Sequence, residues 1–272
     1  MDLSRFFEIL GYGFVSRALV VGILISLVAA LLGVILVLKR YSLIGHGLAD
    51  VGFASMSIAL AFSVEPTFAS VPLLILASVA IMFISERKGV GGDSAIAMVS
   101  TGSLALGVII TALTTGFNSD VYGYMFGSIL AMSTQDLIFS AVLAIIVLVL
   151  FAIFFNRLFL VTQDEDRARS YGINVTAYHF LIALLTALTV VLGMRMMGTL
   201  LISSLIVFPT MTARCYTKSF KGTVIVAAIV SVCCFVVGMM VSLLFNLPTG
   251  AAVVAANIIV LLLSMVIRAI KK

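Results

Sequence analysis

Residues 18–38 read ALVVGILISLVAALLGVILVL, and Lys39 and Arg40 follow directly. The run holds 21 residues and no charged side chain. A bilayer core about 30 Å thick is spanned by roughly 20 helical residues, so the run predicts a transmembrane helix that ends at two basic residues. Apolar runs of similar length recur to the end of the chain. The segment therefore sets the expected fold class for the whole sequence.

The full set of apolar runs predicts a helix bundle in a membrane. The runs cover 14–38, 43–64, 67–85, 94–115, 134–155, 175–194, 197–213, 222–245 and 250–267. The seventh run is short, which leaves open whether it spans the membrane or is a re-entrant or half-helix segment. We expect an all-α, polytopic transmembrane helix bundle of about eight or nine spans, built as a single domain over residues 1–272.

Composition excludes a soluble globular protein. Of the 272 residues, 63% are hydrophobic and only 10% are charged, and the mean hydropathy is +1.31. A soluble domain carries roughly 25% charged residues, so this chain has too little polar surface to face water. The net charge of +5 does not indicate nucleic acid, because the basic residues lie at the ends of apolar runs rather than along one face.

The positions of the basic residues predict an orientation. They group at Lys39-Arg40, Arg87-Lys88, 157–169, 214–221 and 268–272. The corners at 65–66, 118–120 and 246–248 carry neither Lys nor Arg. Because cytoplasmic loops are enriched in Lys and Arg, we expect the N-terminus outside and the C-terminus in the cytoplasm.

His46 and Asp50 are the main candidates for chemistry within the predicted spans. Ionisable residues inside a membrane are costly and are usually functional. Their spacing of four residues places both side chains on one helix face. Imidazole nitrogen and carboxylate oxygen together suit a borderline divalent cation such as zinc or manganese. The alternative is a His46–Asp50 hydrogen bond that only satisfies two buried polar groups.

One such pair cannot fill a four-coordinate metal shell. Two chains related by a two-fold axis would bring together two histidines and two aspartates, which can fill it. Small residues surround the pair and would permit close helix contact: Gly45, Gly47, Ala49 and Gly52. From the sequence we therefore form the hypothesis of a metal pathway between two copies of the chain.

The longest polar stretch, residues 156–174, mixes both signs of charge. In its second half, three acidic residues precede two arginines and a glycine follows: Asp164, Glu165, Asp166, Arg167, Arg169 and Gly172. Acid first, base later and then glycine is the order of a short, capped helix. The stretch is either a solvated loop or a docking helix for a cytoplasmic partner.

Two further ionisable residues are weaker candidates for a pathway or gate. His179 lies near the start of the sixth run, where a lone histidine is more often an interfacial or packing residue. Arg195 either extends outward from a helix end or lines a vestibule. No nucleotide-binding motif is present in the sequence, so ATP hydrolysis, if it is used, must come from a partner.

Several ordered motifs resemble those of the integral membrane permeases of ATP-binding-cassette importers for zinc, manganese and iron. They are KRYSLIGHGLAD at 39–50, GFNSD at 116–120, FGSIL at 126–130, DEDRARSYG at 164–172, MRMMGTLLIS at 194–203 and LPTGA at 247–251. The resemblance extends over nearly the whole chain. Two of the stretches, GFNSD and the GHGLA within the first motif, are closer to the zinc branch than to the manganese branch.

The resemblance implies a transport subunit rather than an enzyme. It implies a homodimer in a bacterial cytoplasmic membrane, two cytoplasmic ATPase subunits and an extracytoplasmic protein that delivers the metal. It also implies that 156–174 contains the coupling helix that contacts the ATPase. The divalent metal ion would be the transported substrate, with no permanently bound cofactor and no nucleic acid partner.

The sequence departs from the family pattern at the candidate ligands. The family usually has aspartate first and histidine four residues later, whereas here His46 comes first and Asp50 second. The types of ligand are kept and their order along the helix is exchanged, which leaves the transported ion open. The alternatives to an importer are an ion-gradient-driven secondary transporter and a membrane-embedded enzyme that uses the same pair.

Overall fold

The computed structural model describes residues 13–85, 90–114, 134–245 and 247–270, and these residues form ten helices. In chain order they are α1 (Gly13–Leu38), α2 (Ile44–Ala61), α3 (Pro66–Ser85), α4 (Gly92–Thr114), α5 (Thr134–Gln163), α6 (Glu165–Ser170), α7 (Val175–Met197), α8 (Thr199–Tyr216), α9 (Phe220–Phe245) and α10 (Thr249–Ile270). Nine of these helices are long, and each corresponds to one predicted apolar run.

The predicted fold class is confirmed. Eight of the described helices are long and apolar enough to cross a membrane, and the apolar part of α3, 69–85, is slightly shorter. The short seventh run is a complete helix, α8, of 18 residues. At 1.5 Å per residue, this helix is about 27 Å long, which is close to the thickness of a bilayer core.

Helix α1 lies in the centre of the bundle, where it packs against α5, α7, α8 and α9. It is apolar on all sides, which is the pattern of a buried helix. In the most apolar part of α1, 72% of the residues are buried, whereas in the most apolar part of α4 only 17% are buried. At Gly33 the backbone of α8 comes so close that a methyl group would overlap the Ile206 carbonyl oxygen. The run that predicts the fold class is thus also the core of the fold.

Hydrogen bonds between side chains and backbone connect the helices inside the bundle. The Ser231 hydroxyl of α9 donates to the Ser26 carbonyl of α1 at 2.9 Å, and the Ser78 hydroxyl of α3 donates to the Ala183 carbonyl of α7 at the same distance. All four residues are buried or nearly so. Small hydroxyl residues provide such bonds at little steric cost between closely packed membrane helices.

Contacts between helix ends show which ends lie together. The ring centroids of Phe159, near the end of α5, and Phe220, at the start of α9, are 4.9 Å apart. The start of α7 is near the end of α5, because Arg157 donates to the Tyr178 hydroxyl at 3.0 Å. Since α7 and α9 begin at the same end of the bundle, α8 must run back to that end. The short seventh run therefore traverses the bundle.

Most of the described basic residues lie at this same end, which we call the basic end. They are Lys39, Arg40, Arg157, Arg167, Arg169, Arg214, Lys218, Lys221 and Arg268. The ends of α8 and α10 meet there as well, because Arg214 and Arg268 line one cleft of about 500 Å³. Arg17 and Arg195 belong to helix positions at the opposite end. The predicted alternation of charged corners therefore agrees with the packing of the helices.

Most of the polar stretch 156–174 is helical. The helix that was predicted to end at residue 155 continues into this stretch. Helix α5 continues to Gln163, so the connection between α5 and α7 comprises only residues 164–174. The reason is that Leu158 and Val161 are fully buried and keep α5 packed for two further turns. Polarity at Asn156 and Arg157 marked a change of environment, but not the end of the helix.

Candidate functional site

His46 and Asp50 lie in the first two turns of α2, on the side that faces α4. His46 is exposed and Asp50 is half-buried. Asp50 accepts a hydrogen bond from the Ser100 hydroxyl of α4. No hydrogen bond joins His46 to Asp50 among the described residues. The alternative in which the two residues only satisfy each other is therefore not what the structure contains.

The glycines on either side of His46 pack within their own chain. A methyl group on Gly45 would lie 3.3 Å from the Ser203 Cα of α8, and one on Gly47 would lie 2.6 Å from the Ile96 Cγ2 of α4. These glycines thus let α2 fit between α8 and α4, and the resulting position leaves His46 uncovered. The close approach predicted from the small residues occurs inside one chain, which corrects its assignment to a contact between two chains.

One chain does not hold a complete metal site in its described part. No group of three or more His, Cys, Asp and Glu side chains comes together there. His46 and Asp50 provide one nitrogen and one carboxylate, whereas a transition metal needs about four ligands. Further ligands would have to come from another chain or from water.

Ser100 was not predicted from the sequence, although it contacts the candidate ligand directly. The signal available was its position in α4, where Ile96 and Ser100 share the face that packs on Gly47. A hydroxyl in an otherwise apolar helix is too common to be singled out without knowledge of what it faces. Its hydrogen bond orients the Asp50 carboxylate, as partners of metal ligands usually do.

Replacing Ser100 by alanine is expected to weaken metal handling without abolishing it. The Asp50 carboxylate keeps its charge but loses the donor that orients it, so the KM for metal uptake should rise by roughly tenfold. Uptake kinetics of Ser100→Ala at graded metal concentrations measure this change. The matched control is Ser103→Ala, three residues further along α4; an equal rise in KM for that variant would contradict the orienting role.

Helix α6 forms as the charge pattern predicts. The Asp164 carboxylate accepts from the Arg167 backbone N–H at 2.9 Å and so caps the start of the helix. Gly172 ends it with a φ of 74°, a conformation that favours glycine. The Ile173 backbone N–H then bonds to the Ala168 carbonyl at 3.1 Å. The predicted short, capped helix is confirmed.

The structure divides the six residues predicted for the docking helix into three groups. Asp166, Arg167 and Arg169 are exposed, and so is Tyr171, whose surface is 73% accessible. Asp164 and Gly172 instead shape the two ends of the helix. Glu165 differs from all of these, because it points toward the bundle together with the fully buried Ala168.

Glu165 belongs to a polar cluster that joins three helices at the basic end. The Lys39 ammonium lies 2.9 Å from Glu165 Oε1 and 2.5 Å from His179 Nε2. His179 Nε2 is in turn 3.1 Å from Glu165 Oε1. The Lys39 side chain is 6% exposed and that of His179 is 8% exposed. We call this cluster the Lys39 junction.

Electrostatics stabilise the charged form of Glu165. Partial burial alone would raise its pKa, but the hydrogen bond and charge of Lys39, with a contribution from His179, hold the pKa below its ordinary value of 4.5. A lowered folded-state pKa gives stability that is present above pH 4.5 and is lost only as the pH falls through the lowered value. The ion pair is therefore intact at neutral pH.

The two weaker candidates, His179 and Arg195, lie at opposite ends of the bundle. His179, a candidate for a pathway or gate, lies in the Lys39 junction at the start of α7. Arg195 belongs to the last turn of α7, at the opposite end of the bundle. The motifs at 116–120 and 126–130 lie outside the described residues.

No described residue covers one face of helix α4 beside the candidate ligands. Small exposed residues follow one another along it at helical spacing: Ser94, Ala97, Thr101 and Ala105. This stripe is adjacent to Ile96 and Ser100, which contact α2 near His46 and Asp50. Stripes of small residues on membrane helices are typical of close contact with another helix.

Comparison with solved structures supports the same fold. The chain superposes on a structure titled "PsaBC from Streptococcus pneumoniae in complex with Fab" with a TM-score of 0.84 and 26% sequence identity, covering 97% of this chain and 95% of the other. It also superposes on "An inward-facing conformation of a putative metal-chelate type ABC transporter" with a TM-score of 0.66. At 14% identity, the second match concerns the fold alone.

Curated relatives are similar over nearly their full length. The chain is 30% identical to the high-affinity zinc uptake system membrane protein ZnuB of Haemophilus influenzae, over 91% of this chain and 95% of the relative. It is 28% identical to the manganese import system permease protein ScaB of Streptococcus gordonii, over 94% and 92%. Its sequence matches the profile of one transporter family from residue 11 to residue 268. The chain belongs to the ABC 3 transport family.

Proposed function

We propose that the chain is the membrane permease subunit of an ATP-binding-cassette importer that moves a divalent metal ion into the cytoplasm. The observation that carries the proposal is the position of His46 and Asp50. They offer a nitrogen ligand on an exposed side chain and a carboxylate ligand on a half-buried one, four residues apart on a helix whose Gly45 and Gly47 pack inside the chain. The relatives named for zinc and manganese transport give the proposal its substrate class.

Two copies of the chain complete the metal site in this proposal. A two-fold axis beside the small stripe of α4 would bring two His46 and two Asp50 side chains together, giving four ligands where one chain provides two. The same contact would cover the exposed face of α4. Zinc is the expected ion, with manganese or iron as alternatives, because these donors accept several first-row metals and the relatives include both zinc and manganese proteins.

The basic end faces the cytoplasm in this arrangement. Nine described Lys and Arg side chains lie there, as the enrichment of cytoplasmic loops in basic residues requires. The N-terminus is then outside and the C-terminus inside. The exposed side of α6 points away from the bundle at this end, where a cytoplasmic ATPase would contact Asp166, Arg169 and Tyr171. An extracytoplasmic metal-binding protein would deliver the ion at the opposite end.

Uptake by reconstituted vesicles tests the proposal. The permease is placed in proteoliposomes with or without the cassette ATPase that co-purifies with it, and zinc or manganese uptake is measured with and without ATP. We expect uptake only when both ATPase and ATP are present, and no effect when ionophores collapse the ion gradients. Gradient-driven uptake without the ATPase would indicate a secondary transporter, and absence of uptake under every condition would contradict transport.

A further inference from the structure

The Lys39 junction connects the docking helix to the core of the bundle. Lys39 follows the last residue of α1, Glu165 is the first residue of α6, and His179 lies in the second turn of α7. Helix α1 is the most buried of the spans, with contacts to α5, α7, α8 and α9. The Lys39 ammonium is thus a direct polar link between α6 and the most buried helix of the bundle.

Lys39 has a role in the junction that neither of the other two residues can fill. An ammonium group has three donors and no acceptor, so Lys39 donates to Glu165 Oε1 at 2.9 Å and to His179 Nε2 at 2.5 Å. The carboxylate and the accepting ring nitrogen are 3.1 Å apart. Without the ammonium, His179 Nε2 and Glu165 Oε1 would still be within hydrogen-bond distance, but the cluster would lose its member from the end of α1. Lys39 is therefore the member of the cluster that joins the end of α1 to α6 and α7.

Other contacts between α6 and the bundle are few. Ala168 packs inward, and the remaining described side chains of α6 are exposed or only cap the helix. The connections to α5 and α7 are also short, since Asp164 alone separates α6 from α5 and four residues, 171–174, separate it from α7. Chain connectivity links α6 to α5 and α7, whereas Lys39 is the polar link from α6 to α1 in the described structure.

We propose that Lys39 is a positioning residue for transport coupling, which transmits the displacement of α6 to α1 and α7. This inference rests on the proposed function, because it concerns how ATP hydrolysis in a partner is converted into movement of the spans. In the intact junction α6, α1 and α7 move together. When the ammonium is removed, α6 still binds the partner through its exposed side, but its movement reaches α1 only through α5 and α7.

The test replaces Lys39 by methionine, which keeps the length of the side chain and removes its charge and donors. The measured quantity is the number of metal ions taken up per ATP hydrolysed in proteoliposomes that contain the partner ATPase. We expect Lys39→Met to retain ATP hydrolysis while this ratio falls about tenfold, since a charge-assisted hydrogen bond corresponds to roughly one decade in an equilibrium constant. The matched control is Arg40→Met, which removes an exposed neighbouring charge.

A charge exchange gives the second arm of the test. The double variant Lys39→Glu with Glu165→Lys keeps one ammonium, one carboxylate and one imidazole in the junction and should recover most of the coupling ratio. If Lys39→Met proves difficult to fold, Glu165→Gln keeps the shape of a half-exposed side chain and is expected to lower the ratio to a smaller extent. Thermal unfolding of each purified variant measures its folded fraction. The ratio of metal ions taken up to ATP hydrolysed is then compared between variants that are folded to the same extent.

The outcomes separate the inference from the proposed function. An unchanged ratio in both Lys39→Met and Glu165→Gln, or an equal fall in Arg40→Met, would overturn the role of Lys39 while leaving the importer intact. A loss that appears only in the yield of folded protein would likewise assign Lys39 a structural role. If the unmodified chain itself shows no ATP-dependent uptake, the proposed function fails and the inference fails with it.

Discussion

Metal uptake by proteoliposomes is expected to fall to the level of permease-free vesicles when His46 or Asp50 is replaced by alanine. Each substitution removes one of the two ligand types that a chain provides, and in a two-fold arrangement it removes that ligand twice. Two remaining donors cannot fill a tetrahedral shell. His46 is exposed and Asp50 is half-buried, so neither truncation opens a large cavity, and the amount of folded protein in the membrane should stay near that of the unmodified chain.

Two controls sharpen this prediction. Asp93→Asn removes an exposed carboxylate at the start of α4 and should leave uptake unchanged. The exchange variant His46→Asp with Asp50→His restores the order usual in the family and keeps both donors on one helix face. It should transport metal, with a changed ratio of zinc to manganese uptake, because the depth of each ligand along the helix differs. Full uptake by both alanine variants would rule out these residues as ligands.

Gly33→Ala is expected to prevent correct packing of the bundle core. A methyl group there would overlap the carbonyl oxygen of Ile206, which belongs to the backbone of α8 and cannot rotate away. Overpacking of a well-packed interior costs about 3 kcal/mol when the neighbour cannot yield. Because α1 and α8 would have to separate, the loss should appear as low yield of folded permease and as an earlier thermal unfolding transition in detergent.

Gly102→Ala is the matched control, because nothing lies within 4 Å of the position that its methyl group would occupy. Alanine in a helix is favoured over glycine by roughly 0.5–1 kcal/mol, so this variant should be as stable as the unmodified chain or slightly more stable. An unchanged unfolding transition for Gly33→Ala would show that α1 and α8 are less closely packed than the structure indicates.

Much of the fold could be predicted from the sequence, because hydropathy reports directly on the cost of placing a residue in a bilayer. All nine apolar runs correspond to helices, and the short helix at 165–170 was indicated by the charge order from Asp164 to Gly172. The end of α5 was predicted too early because polarity at Asn156 was more visible than the buried packing of Leu158. Local polarity marks an interface with water, whereas packing determines where a helix ends.

The candidate site was predicted only in part. His46 and Asp50 were singled out because ionisable residues in a span are rare, and their helical spacing predicted a common face. Ser100 and Lys39 were not, since a serine in a span and a lysine at its end are both ordinary in sequence. Their importance depends on partners that are distant along the chain, Asp50 and Glu165, and no periodicity records such contacts.

The sequence by itself determined the class of protein, the approximate spans, the grouping of basic corners and the pair of candidate ligands, because each follows from local composition in a bilayer. The tertiary structure alone decided that the short seventh run is a complete helix, that Gly45 and Gly47 pack against their own chain, and that Lys39 meets Glu165 and His179. These features arise from contacts between helices. Such contacts depend on shape and on the meeting of residues that are distant in sequence, and the order of residues does not record either.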